Sequence, residues 1–283
     1  MTWQIYTVLS ILLFSLNNLF HRTMMKEESS DPFAQTIMFY GIGGIFAFVM
    51  TFFRGGFHYQ ISASQLPYFL LMTIFATAAP VLGFKALKLI ESSENSILSS
   101  SQRIWALFGA FIFLQEKFSM QKIIGTLIIL AGIMLAQWKK TRFIFNKGAM
   151  YAILAAVFYA ITEIISFYIL RGFDANSFIV YSSLLPVIAL IILKPKTLNK
   201  FRFYLKPSRA LNISAVSIND ILATIFIFYA YQIGRNASLI GPLMATQTIV
   251  SVLLAIIFLR ERGNLVNKLL GAIVVVAGII LLI

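Results

Sequence analysis

Apolar stretches of about twenty residues, each long enough to cross a hydrocarbon layer as a helix, follow one another along almost the whole chain. They run approximately over 3–21, 34–53, 66–87, 95–114, 121–138, 148–170, 176–193, 210–233, 238–259 and 266–283. The runs are continuously apolar rather than alternating, which argues against the short strands of a membrane barrel. In lipid every backbone polar group must be satisfied inside its own segment, so helices remain. With 59% hydrophobic and 12% charged residues there is also too little polar surface to clothe a soluble globule. The expected fold class is an all-α integral membrane protein of ten transmembrane helices.

The first run has no basic residue before it, carries Asn17, Asn18 and His21 near its end and lacks a small-residue cleavage site, so it reads as a retained helix rather than a signal. There is no cysteine, which removes disulfides, thiolate metal sites and cysteine nucleophiles. The net charge of +13 is spread over short loops instead of forming one patch, so nucleic acid is not the expected partner.

Lys and Arg are divided unequally between the two sides. With Arg103 set aside and residues at span ends counted with the nearer loop, the odd-numbered loops carry 17 and the even-numbered loops 5. The most basic are "KKTRFIFNK" from Lys139 and "KPKTLNKFRFYLKPSR" from Lys194. The positive-inside rule places the odd loops in the cytoplasm and both termini outside.

The chain also repeats itself. "FLQEKFSMQKIIGTLIILAG" from Phe113 returns as "FLRERGNLVNKLLGAIVVVAG" from Phe258. Glu116 matches Glu261, Gln102 matches Gln247, and after a one-residue insertion Lys122, Gly125, Ala131 and Gly132 match Lys268, Gly271, Ala277 and Gly278. The unit is five helices: residues 1–140 form the first, 147–283 the second, and 139–147 a basic connection. Five is odd, so the second unit enters the membrane from the opposite face. Two inverted five-helix repeats are the arrangement of alternating-access carriers.

The paired stretches "FKALKLIESSENSILSSSQRIWALFGAFIFLQEKFSMQKIIGTLIILAGIML" and "YAYQIGRNASLIGPLMATQTIVSVLLAIIFLRERGNLVNKLLGAIVVVAGIILL" resemble the EamA-like branch of the drug/metabolite transporter superfamily over essentially the whole chain. The resemblance implies a ten-helix secondary carrier in a bacterial plasma membrane, with its cavity between the halves. Such carriers usually export amino acids or other small metabolites. A lipid-carrier or drug flippase on the same fold is the alternative. The family commonly keeps both termini in the cytoplasm, whereas the loop charges here point the other way. Small-molecule substrate and membrane lipids are the implied partners, with no cofactor; a monomer suffices and a dimer is left open.

Arg103, Glu163 and Asp220 fall near the middles of the fourth, sixth and eighth spans, where an isolated charge costs from about 2.5 to over 10 kcal/mol. They must face protein or water. Three charges leave one carboxylate without a cation, and that group should hold a proton or a cationic substrate. Glu163, in "FYAITEIISFY", has the more apolar company and is the favoured titrating group, with Arg103 expected on Asp220, which has Ser217 and Asn219 nearby. The two roles are interchangeable at this level.

Asn17, Asn18, Gln102 and Gln247 are further candidates to line the cavity with amides, and Tyr40, Trp105, Tyr159 and Tyr181 with aromatic rings. Helix joining and ordinary packing compete with each of these roles. Glu116 and Glu261 read as interfacial caps, and the glycines at 125, 132, 271 and 278 as sites of close helix approach. Pro80, Pro186 and Pro242 are candidate hinges. With two histidines, no metal-ligand set, no nucleophile-base motif and no phosphate loop, an enzyme or an ATP-driven pump is not expected. Single charges rather than rings argue against a channel.

Overall fold

The computed structural model describes residues 2–24, 30–53, 55–90, 95, 98–115, 119–137, 146–258 and 265–282. Its helices are α1 (Trp3–Met24), α2 (Pro32–Phe52), α3 (Leu66–Leu89), α4 (Gln102–Leu114), α5 (Met120–Gln137), α6 (Lys147–Leu170), α7 (Ala175–Leu193), a 3-10 helix (Pro195–Phe203), α8 (Pro207–Gly234), α9 (Ala237–Ala245), α10 (Gln247–Phe258) and α11 (Leu265–Leu282). Five of them, α2, α3, α6, α7 and α8, are long and apolar enough to span a membrane by themselves, and shorter apolar helices accompany them. The protein is an integral, multi-pass membrane protein.

Local chemistry sets the helix ends. The carboxyl of Asp31 accepts from the N–H groups of Phe33 and Ala34 at 3.0 Å each, with Pro32 following, so α2 starts there. Asn146, Asp174 and Asn236 cap α6, α7 and α9 in the same way. Pro80 and Pro186 lie inside α3 and α7, which run on through them.

Two of the apolar spans are not single helices: the ninth breaks close to Pro242, named above as a candidate hinge, and the fourth breaks where no hinge was expected. Residues 98–100 are helical, Ser101 is a turn, and α4 begins at Gln102. The ninth span divides at Thr246 into α9 and α10. At both breaks a hydroxyl turns back onto the carbonyl three residues earlier, Ser101 onto Leu98 at 2.6 Å and Thr246 onto Leu243 at 2.7 Å. Such bonds compete with the helical ladder. In α9, Pro242 removes a further backbone donor. The basic stretch after α7 was expected as a loop; it carries the 3-10 helix instead.

The helices pack in matched pairs. α3 lies on α6 as α1 lies on α8; α4 lies on α6 as α10 lies on α1; α2 meets α8 as α7 meets α3. Exchanging each helix for its counterpart in the other half turns each pairing into its mate, while α2 with α7 and α5 with α11 turn into themselves.

The α5 and α11 pair is the closest fit to a sequence expectation. A Cβ on Gly132 would lie 2.7 Å from the Gly271 carbonyl, and one on Gly278 would lie 2.9 Å from that of Gly125. Only hydrogen fits at these points, so backbone meets backbone. Elsewhere the buried side chains gather at helix crossings, the largest cluster joining Phe69, Phe167, Phe178, Tyr231 and Ile240.

Candidate functional site

Two polar clusters occupy the inside of the bundle. In the first, Arg103 Nη1 donates to both carboxylate oxygens of Glu163, at 3.1 and 2.9 Å. Gln102 Nε2 donates to the same carboxylate at 2.9 Å, and the Tyr231 hydroxyl donates to it at 2.5 Å. Both charged side chains are nearly buried, 11% exposed for Arg103 and 12% for Glu163. The break at Ser101 makes this possible, because it places consecutive residues Gln102 and Arg103 at the free N-terminal end of α4, where a carboxylate is favoured. Gly241 of α9 lies beside the pair: a Cβ there would meet Glu163 Oε1 at an ordinary contact distance of 3.5 Å.

In the second cluster, Asn17 Nδ2 donates to Asp220 Oδ1 at 2.9 Å. Asn219 Nδ2 donates to Asn17 Oδ1 and to the Leu13 carbonyl, both at 2.8 Å, so the amide of Asn17 is held from both ends. The side chains of Tyr40 and Tyr159 lie near each other, within electrostatic reach of Asp220. Among the described residues no cation pairs with Asp220. Tyr159 and Glu163 are one turn apart on α6, so the clusters adjoin along one wall, their Cβ atoms about 5–6 Å apart. Each cluster draws on both halves of the chain.

The pairing corrects the sequence reading. Arg103 was expected on Asp220, with Glu163 left to titrate; the structure gives Arg103 to Glu163 and leaves Asp220 as the lone carboxylate. The reason is topological: α4 packs on α6, whereas Asp220 lies on α8 against α1. Company along the sequence did not reveal which helices touch.

Of the other candidates, Gln102, Asn17, Tyr40 and Tyr159 join these clusters. Gln247, at the start of α10, accepts on its backbone carbonyl from Ser15 at 2.9 Å and Ser251 at 2.8 Å, while its amide oxygen is buried without a partner. Two aromatic candidates lie elsewhere. Trp105 is 44% exposed and lies about 200° round α4 from Arg103. Tyr181 packs edge-on against Phe69, and its hydroxyl donates to the Tyr59 carbonyl at 2.9 Å. The side chains of Asn18 and His21, together with Glu116 and Glu261, lie outside the described residues.

Tyr231 was not among the sequence candidates, although a signal existed. It follows Asp220 by eleven residues, just over three whole turns, and so shares its face of α8.

A family model described as "EamA-like transporter family" matches residues 1–138 and again residues 146–283. The chain belongs to the EamA-like transporter family. It is 28% identical over 138 residues to the "Uncharacterized transporter in sor 3'region" of Acidianus ambivalens, a match covering 49% of this chain and 52% of that protein. The chain thus spans about half the length of the curated relative it matches. A solved structure described as "Crystal structure of protein" superimposes with a TM-score of 0.76 at 19% identity, covering 98% of this EamA-like chain and 97% of the other, a likeness of fold.

Proposed function

We propose that this EamA-like protein is a secondary carrier that exports amino acids or similar small metabolites by alternating access, with Asp220 exchanging a proton for the cationic end of the substrate. The reading rests on one observation: a carboxylate without a cation in the interior of a membrane bundle, beside a neutralised Arg103–Glu163 pair. An ionised carboxylate in such a place is costly, so it binds a proton or an ammonium group, and each excludes the other. That competition is sufficient to couple the two flows.

Arg103 adds the complementary end. Only its Nη1 is engaged by the carboxylate of Glu163, so other guanidinium N–H groups remain for a substrate carboxylate. An acceptor for a further substrate donor exists in the buried, unpartnered amide oxygen of Gln247.

The motion follows from the pairing of the helices. Ten crossings arranged as two inverted halves, with the basic odd loops in the cytoplasm and both termini outside, put the contacts of Gln102 and Arg103 with Glu163, and of Asn17 with Asp220, across the boundary between halves. Rocking one half against the other opens these contacts on one side at a time, and the breaks at Ser101 and Thr246 supply flexible joints next to the site. The test is transport in proteoliposomes with amino acids, cationic drugs, nucleosides and lipid-linked solutes, with and without a pH gradient. Uptake of an amino acid that responds to the gradient supports the reading; movement of lipid-linked solutes alone assigns the protein to flipping.

A further inference from the structure

Two connections reach from one half of the chain to the other and are fastened there. The segment after α7, which leads into α8, lies against the start of α2. Lys200 Nζ donates to Asp31 Oδ2 at 2.6 Å, while Asp31 Oδ1 caps α2. The Tyr204 hydroxyl accepts from the Asp31 N–H and lies 3.2 Å from two acceptors, the Asp31 carbonyl and Gln35 Oε1. The Lys200 side chain is 59% exposed, so its ion pair contributes little alone. Tyr204 and Gln35 are 2% and 1% exposed, and their buried contacts hold the segment down.

The segment after α2, which leads into α3, is fastened in the same manner to the start of α7. The Ser177 hydroxyl accepts from the His58 N–H at 2.8 Å and donates at 2.8 Å to Asp174 Oδ2, the oxygen that caps α7. His58 Nδ1 lies 3.8 Å from that oxygen, and the Tyr181 hydroxyl donates to the Tyr59 carbonyl at 2.9 Å. Asp31 and Asp174 stand 143 positions apart, and His58 and Lys200 142, close to the offset of the repeat, so the two fastenings are equivalent. One joins the start of α2 to the end of α7 and the other the end of α2 to the start of α7. Helices of 21 and 19 residues set them about 30 Å apart. Each anchors the lead into a helix that bears on the site: α8 carries Asp220, and α3 packs on α6, which carries Glu163.

We infer that these two fastenings are the gates of the carrier, and that one closes as the other opens. Release of Lys200 and Tyr204 from α2 frees the lead into α8 and opens one face; release of His58 and Tyr59 from α7 frees the lead into α3 and opens the other. The inference rests on the alternating-access reading. Both fastenings join one half to the other, so a rocking motion that parts the halves at one end presses them together at the opposite end. The Asp31 end is the more firmly closed here, with its side-chain nitrogen 2.6 Å from the carboxylate against 3.8 Å at Asp174.

Hydrogen exchange of the purified full-length protein in detergent reads both ends at once. The His58 N–H reports on one fastening, and the Asp31 N–H with the amides of 197–204 on the other. Tyr204→Phe and Tyr181→Phe each remove one hydroxyl and keep the ring. Tyr204→Phe should speed exchange at its own end by about fivefold, the worth of one hydrogen bond, and slow it at His58. Tyr181→Phe should do the reverse, because weakening one closed state shifts the population toward the other. Lys200→Gln, a change at an exposed side chain, carries the test at the first end if Tyr204→Phe fails to fold. Faster exchange confined to the altered end, or faster exchange at both, overturns the gates. Amino-acid uptake by the same samples after reconstitution keeps the two readings apart. Reciprocal exchange without uptake discards the substrate and retains the gates, and uptake without reciprocity does the opposite.

Discussion

Ser101 and Thr246 stand 145 positions apart, and each interrupts an apolar span by turning its hydroxyl onto the carbonyl three residues before it. The next residue in each case is a glutamine. Gln102 reaches the carboxylate of Glu163, and Gln247 leaves its amide oxygen unpartnered in the interior. Equivalent positions therefore carry the same backbone device with different side-chain partners.

If the two halves are inverted and the basic face is cytoplasmic, sided labelling separates the loops. The chain has no cysteine of its own, which gives a clean background. A cysteine placed at Ser208, exposed at the start of α8, should react with an impermeant thiol reagent only after lysis. One placed at Ala63, exposed between α2 and α3, should react in intact cells. Reversed labelling would turn the molecule over in the membrane, and labelling of both from one side would remove the two-faced arrangement.

Glu163→Gln should damage folding rather than coupling. It leaves the guanidinium of Arg103 buried without a counter-charge, a loss of about 3–5 kcal/mol for a buried pair broken on one side. Combining it with Arg103→Gln removes the stranded charge and should restore part of the loss. Yield and thermal unfolding in detergent measure this; a single variant as stable as the wild type would show that the pair is dispensable.

Gly132→Ala should destabilise the α5 and α11 contact. Its methyl would lie 2.7 Å from the Gly271 carbonyl and as close to Val275, so backbone must move by an overpacking cost of about 1–3 kcal/mol. Gly55→Ala is not an equivalent control, because Gly55 has a φ of 104° and is strained by any side chain, whereas Gly41→Ala meets nothing within 4 Å and should be mild. The measurement is the difference in unfolding midpoint between the Gly132 and Gly41 variants.

How much of this was legible beforehand depends on the distance over which each signal acts. The apolar helices, the internal repeat and the close glycine contacts are written in periods and offsets, so sequence alone exposes them. The choice of Glu163 or Asp220 as the partner of Arg103 is set by which helices touch, a relation between residues 60 positions apart that no periodicity encodes. Pro242 marked the ninth span as a place for a hinge, whereas the break at Ser101 was hidden because a serine inside an apolar run looks like an ordinary small residue.

Acid should weaken the cap of α2. Burial pushes the Asp31 carboxyl up, but the Lys200 hydrogen bond and charge and the N–H groups of Ala34 and Phe33 outweigh it, leaving the group below its ordinary 3.8. A depressed carboxylate stabilises the fold above its unfolded value and loses that contribution as pH falls through its folded value. Asp31→Asn should therefore be slightly less stable than the wild type at neutral pH, by under about 1 kcal/mol given the exposed Lys200. The difference should close as pH falls below 3.8. A difference that persists unchanged into acid would mean that charge plays no part.

The central claim is that Asp220 exchanges a proton for substrate. Asp220→Asn keeps an oxygen for Asn17 and removes only the titration, so the protein should remain folded in the membrane. Amino-acid uptake into proteoliposomes under an imposed pH gradient, compared between wild type and Asp220→Asn, is the direct measurement. The account predicts gradient-driven accumulation by the wild type and none by the variant. Accumulation by Asp220→Asn equal to the wild type, with the same dependence on pH, would contradict it.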